Sequence, residues 1–113
     1  MTTDQERRVN ERVAAEFKVS YIHDGDYLIS YSKDISVDGM FIFTESPPAV
    51  GECPQLTFVV NDREITLKAE VIWVNSSGSA KDSGMGVRFI NLPTKLRQEI
   101  LAMVNRIAVF PSD

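Results

Sequence analysis

The sequence predicts a mainly β protein, a six-stranded antiparallel β-barrel followed by one C-terminal α-helix. Apolar residues alternate with polar ones in a series of short runs, and clusters of Gly, Pro, Asn and Asp separate those runs at close intervals. After Pro93 the apolar period lengthens from two to between three and four, the spacing of a helix. Short turns between successive strands favour antiparallel neighbours, and a helix after the last strand would cover apolar surface that a small barrel leaves wet.

Residues 1–13 are charged and weakly patterned, with Val9 and Val13 the only large apolar positions after Met1. They read as a flexible N-terminal arm, helical or extended, ahead of a single domain over 14–110. From Ala15 onward Phe17, Val19 and Tyr21 alternate with Glu16, Lys18 and Ser20 in a half-buried strand. His23-Asp24-Gly25-Asp26 contains an Asp-Gly step, a strong hairpin signal, and a second strand follows from about Tyr27 to Ser32. Beyond the Asp34–Gly39 segment, Met40 to Thr44 is apolar on both faces and is expected to be covered on both. Ser46-Pro47-Pro48 and Gly51 end that strand. A fourth, Gln55 to Val60, turns at Asn61-Asp62-Arg63 into a long fifth, where Ile65, Leu67, Ala69, Val71 and Trp73 are expected on one face, Trp73 as core. Asn75 to Ser83 is a polar connection, and Met85 to Ile90 forms the sixth strand, with Met85, Val87 and Phe89 together. Leu96, Ile100, Met103, Val104 and Ile107 line one side of the helix, Thr94 lies at its start and Pro111 beyond its end.

The totals exclude several classes of function. At 113 residues the chain is one domain with room for a core. No apolar run approaches the roughly 20 residues that span a bilayer, and the polar N-terminus is no secretory signal, so no membrane insertion is expected. A single cysteine, Cys53, rules out an internal disulfide and fits a reducing compartment, so the expected location is cytoplasmic. A net charge of −4 argues against a nucleic acid polymer as partner. Cys53 and the lone His23 are too little for a zinc site or a Cys/His nucleophile pair. No metal site and no enzyme activity are therefore expected.

Two segments carry the candidate chemistry. Asp34-Ile35-Ser36-Val37-Asp38-Gly39 puts a carboxylate, a hydroxyl and a glycine between two apolar runs. In the plainer reading it is a tight turn, with Asp34 and Ser36 bonding their own backbone and Gly39 at positive φ. In the sharper one its side chains meet a flat, anionic ligand. The N-terminal arm supplies Arg7, Arg8 and Arg12, the last two at a spacing that shares a helical face or one side of an extended chain. Guanidinium groups fork onto phosphate oxygens and onto the O6/N7 edge of guanine, and they stack on rings. The plainer reading has them pairing with Glu6 and Glu11 on a solvated face.

Taken together, Arg8-x-x-x-Arg12 and Asp34-x-Ser36-x-x-Gly39 resemble the bipartite signature of the PilZ domain family. Gly51, the Val71-x-Trp73 step and Gly84-Met85-Gly86-Val87-Arg88-Phe89 before the helix extend the resemblance over essentially the whole chain. It implies a six-stranded barrel that receives the second messenger cyclic di-GMP. Arg8 and Arg12 would grip phosphates and guanine edges, Asp34 and Ser36 would supply polar contacts on the barrel surface, and Gly39 would be the motif glycine. Arg7 matches a position linked in the family to stoichiometry, and implies an intercalated cyclic di-GMP dimer. Asp34 could accept from guanine N1–H and the N2 amine, which adenine lacks, and so select the base.

The expected function is that of a stand-alone bacterial receptor and adaptor acting in motility or biofilm regulation. Its arm would order over the ligand and signal to an unidentified effector protein. The alternative is a PilZ-like interaction module that does not bind nucleotide. A small barrel binding single-stranded nucleic acid is disfavoured by the acidic balance.

Overall fold

The computed structural model describes residues 12–60, 62–75 and 83–109. It comprises seven strands and one helix: β1 (Val13–Ala14), β2 (Lys18–His23), β3 (Asp26–Ser36), β4 (Gly39–Phe43), β5 (Gln55–Val60), β6 (Arg63–Asn75), β7 (Gly84–Phe89) and α1 (Thr94–Val109). All pairings are antiparallel. The strands run in the order β3-β2-β5-β6-β7-β4, and β4 returns to pair with β3, closing a six-stranded barrel with β1 outside it. The mainly β class, the barrel and the C-terminal helix are as the sequence predicts. The short β1 is an addition. It pairs Val13 with Ile35 and Ala14 with Asp34, so the end of the expected arm is tied to β3.

Turn chemistry sets the register. Asp24 and Gly25 have φ of 52° and 82°, the pair of positive values a two-residue hairpin needs to match strand twist, and they close the pair His23↔Asp26. Asp62 (φ 63°) lies in the corresponding turn between β5 and β6.

Val19, Tyr21, Leu56, Phe58, Ile65, Leu67, Val71, Met85 and Val87 fill the interior, each side chain coming from alternate positions of its strand. The helix adds Ile100 and Val104, fully buried, with Leu96, Met103 and Ile107 packed against the same core. It lies against β1, β3 and β5. Two ion pairs join it to the barrel, Arg63–Glu99 at 2.6 Å and Arg97–Asp38 at 3.1 Å.

One expectation about faces fails. Trp73 does not share the inward face of Ile65, Leu67, Ala69 and Val71; it is 47% exposed on the outside. The cause is a β-bulge: Val71 pairs with Val87 but Trp73 pairs with Gly86, leaving Ile72 as an extra residue that reverses the alternation.

Candidate functional site

A second bulge shapes the ligand-side strand. On β3, Ser32 pairs with Ile42 and Asp34 with Phe41, so Lys33 is the inserted residue. Before it, Tyr27, Ile29 and Tyr31 face outward. Unbroken alternation would continue outward with Lys33 and Ile35 and turn Asp34 inward. The bulge instead turns both Lys33 and Asp34 to the outer surface and sends Ile35, fully buried, into the core.

Asp34 faces Arg12 there. The Arg12 Nε donates to Asp34 Oδ1 at 2.9 Å, across 22 residues of sequence. The pairing of β1 with β3 holds Arg12 in reach, because Ala14 lies opposite Asp34 itself. Of the expected site residues, Arg12 and Asp34 are thus brought together, whereas Arg7 and Arg8 lie outside the described residues.

Beside this pair stands an aromatic wall. Phe41 lies 5.3 Å from Trp73 between ring centroids, tilted by 35°, and 5.5 Å from Phe43, edge-on. The Lys33 ammonium sits 5.7 Å from the Phe41 centroid, within cation–π range. The wall rests on two glycines of β7. A Cβ on Gly84 would come 2.6 Å from Phe41 Cε1, and one on Gly86 would come 2.7 Å from Trp73 Cδ1 and Cε2. Both rings therefore pack over bare backbone, an arrangement in which aromatic side chains cover what glycine leaves unpacked. Arg12, Lys33, Asp34, Phe41, Phe43, Trp73 and Asn75 together line an open cleft of about 740 Å³.

The rest of the Asp34–Gly39 segment is occupied with its own turn. Ser36 is buried; its hydroxyl accepts from the Asp38 amide at 3.3 Å and donates to the Gly39 carbonyl at 3.4 Å. Val37 is fully buried, and the Asp38 carbonyl accepts from the Phe89 amide at 2.8 Å. Gly39 is not at positive φ, contrary to the turn reading. It is glycine because β4 and β7 approach closely: a Cβ there would collide with the Val87 carbonyl oxygen and lie 3.1 Å from its carbon. Asp38 is anchored outward by the Arg97 guanidinium. Asp34, by contrast, bonds a distant arginine rather than its own backbone.

Sequence reasoning missed Lys33, Phe41, Phe43, Trp73 and Asn75 as lining. The available signal was the Gly84-x-Gly86 spacing, which places two bare positions on one strand face and calls for rings on the neighbouring strands. Chemically, the cleft offers a cation and a carboxylate that can separate, a second cation, and flat apolar walls on which a ring system can lie.

Comparison with known proteins gives a consistent picture. The PilZ domain family model matches residues 6–106. The fold is similar to that of the Bacillus subtilis inhibitor of motility MotI/DgrA (TM-score 0.79, 17% identity, covering 100% of this chain and 59% of that one). It is also similar to Escherichia coli YcgR in complex with c-di-GMP (TM-score 0.74, 15% identity, 93% and 47%). The PilZ domain of YcgR with c-di-GMP aligns over 90% of this chain and 94% of that domain, with TM-score 0.67 and 20% identity. The chain thus spans about 59% of the first of these proteins and about half of whole YcgR. At such identities these likenesses are of fold. No curated protein matches the sequence.

Proposed function

Because this chain belongs to the PilZ domain family, we propose that it is a receptor for cyclic di-GMP that binds its ligand in the cleft between Arg12, Asp34 and the Phe41–Trp73 wall. The observation that carries this reading is the Arg12–Asp34 contact, which unites the two halves of the bipartite motif at one opening. YcgR, a fold neighbour, has been crystallised with the same ligand.

In this reading the ligand replaces one partner by another. The guanine N1–H and N2 amine donate to Asp34, and the displaced Arg12 guanidinium turns to a phosphate or to the O6/N7 edge. Exchange avoids leaving either charged group unpaired as the ligand excludes water. Phe41 and Trp73 supply surface for a guanine ring, and Lys33 adds positive charge. Arg7 and Arg8 complete the phosphate grip, with Arg7 favouring two intercalated ligand molecules. Ser36 and Gly39 contribute by fixing the turn that presents Asp34. Ordering of the arm over bound ligand would then create the surface an effector protein reads, making the protein an adaptor rather than an enzyme.

Calorimetric titration with cyclic di-GMP, with cyclic di-AMP and GTP as competitors, tests the proposal. Saturable binding with a stoichiometry of one or two ligands per chain and preference for guanine is expected. Absence of any heat or competition would leave the interaction module that uses no nucleotide. Trp73 is the only tryptophan, so its emission gives an independent reading of the same titration.

A further inference from the structure

One edge of β3 is only partly used. A two-residue turn closes the β2–β3 hairpin at His23 and Asp26, so those two exchange both backbone bonds. Along β3, Asp26, Leu28 and Ser30 therefore turn their N–H and C=O groups to β2, while Tyr27 and Ile29 turn theirs the other way. On that other side β4 pairs only with Ser32 to Ser36. The chain after Ile42 leaves for β7: Phe43 pairs with Gly84, and the Thr44 amide donates to the Ser83 carbonyl at 3.1 Å. Among the described residues nothing bonds the outward donors and acceptors of Tyr27 and Ile29. An open cleft of about 370 Å³ runs along this stretch, with Leu28, Ile29 and Ser30 on one side and Phe43, Thr44 and Glu45 on the other.

Backbone donors and acceptors repeating every second residue along a free edge match one kind of partner, another extended chain. We propose that this edge takes an extended, basic peptide segment of a partner protein as an added antiparallel strand. The first residue of that segment exchanges both bonds with Ile29, and the third exchanges both with Tyr27. The second, opposite Leu28, faces the cleft and is apolar. The fourth, opposite Asp26 on the same face, is a lysine or arginine. The cation follows from the charges at hand, because Asp24, Asp26 and Glu45 are all exposed around the free stretch. The lysines of these strands stand beyond it, Lys18 opposite Tyr31 and Lys33 over the Phe41 ring. Charge also disfavours a second copy of the same edge. Added antiparallel, that copy would bring its Glu45, which shares the cleft with Ile29 and Ser30, toward Asp26 of the first, and the clash would recur on the other side of the axis.

The probe is the peptide Thr-Val-Leu-Val-Lys-Thr, acetylated and amidated at its ends and added at about 1 mM, the range in which so short a strand binds. The chain is used without cyclic di-GMP, so the outcome is separate from the proposed receptor role. Amide exchange read by NMR should be fast at Tyr27 and Ile29 without peptide and slow with it, while Leu28 and Ser30 stay protected throughout. N-methylation of either valine, whose N–H points at β3, should cost roughly tenfold in affinity; N-methylation of the leucine, whose N–H points away, should cost little. Asp26→Lys should weaken binding, and a peptide with glutamate in place of its lysine should recover it. The methylated peptides leave the protein unaltered and decide the matter if Asp26→Lys fails to fold. Unchanged exchange at Tyr27 and Ile29 overturns the proposal, as does equal binding by all the methylated peptides. So does a doubled chain mass with slow exchange at those two amides before any peptide is added, which would give the edge to a second copy.

Discussion

Truncating Arg12 to alanine removes a guanidinium that is 48% exposed and sits 2.9 Å from a carboxylate that is 25% exposed. An ion pair that open to water contributes about 0.2–1 kcal/mol to folding. The urea midpoint of Arg12→Ala should therefore move little. Its effect on cyclic di-GMP should be much larger, because the same group is asked to grip a phosphate or guanine edge: a loss of about 1–3 kcal/mol, roughly 5–150-fold in affinity. Asp34→Ala should lose binding on a similar scale through the guanine donors left unpaired. Because the two side chains are in contact, the double variant should fall short of the sum of the singles, with a coupling of about 0.5–3 kcal/mol. Calorimetry on the four proteins gives the binding cycle, and urea titrations on the same samples give the folding cycle. Parent-like affinity in Arg12→Ala would refute the exchange mechanism. A binding loss that merely tracked a loss of stability would refute it too.

Gly86→Ala should push the Trp73 indole off β7, since the new Cβ would lie 2.7 Å from two of its ring carbons; a loss of about 1–3 kcal/mol and a red-shifted emission are expected. Unchanged emission would mean that the wall does not depend on the bare backbone beneath it. Gly39→Ala meets the Val87 carbonyl of a paired strand, which cannot swing aside as a side chain can, and should cost about 3 kcal/mol or more by urea denaturation. Gly25→Ala has nothing within 4 Å of its Cβ but requires φ of 82°, so its penalty should be smaller, about 1 kcal/mol, and purely conformational. Trp73→Ala should weaken ligand binding by about 1–3 kcal/mol if a guanine stacks there, by analogy with base–aromatic stacking, and calorimetry reads this directly.

Much of the barrel was legible because its signals are local. Asp24-Gly25 carries its own turn geometry, and the change from Phe17-Val19-Tyr21 spacing to Ile100-Val104 spacing separates strand from helix without reference to anything distant. Asp34 and Arg12 could be named as chemically apt, and a resemblance joined them. Trp73 shows where local reading ends. A bulge has no side-chain signature at the inserted residue, so alternation carried through Ile72 puts the indole on the wrong face. Gly39 illustrates the complementary limit: its lack of a Cβ answers to a carbonyl on β7, some fifty residues along the chain. No inspection of the turn alone reveals that constraint.

Whether the inserted Lys33 sets the orientation of Asp34 is a matter of counting. Remove that one residue between Tyr31 and Asp34 and the strand regains a strict two-step rhythm. With Lys33 gone, Tyr31 outward and Ser32 inward leave Asp34 outward and Ile35 inward as before, and what the strand loses is the Lys33 ammonium and the local twist of the bulge. The opening would keep its anion and lose the cation that stands over the Phe41 ring. Among descendants of this sequence, a one-residue gap at that position should therefore spare the direction of the carboxylate and weaken the pocket's hold on a phosphate, while the barrel around it goes on folding.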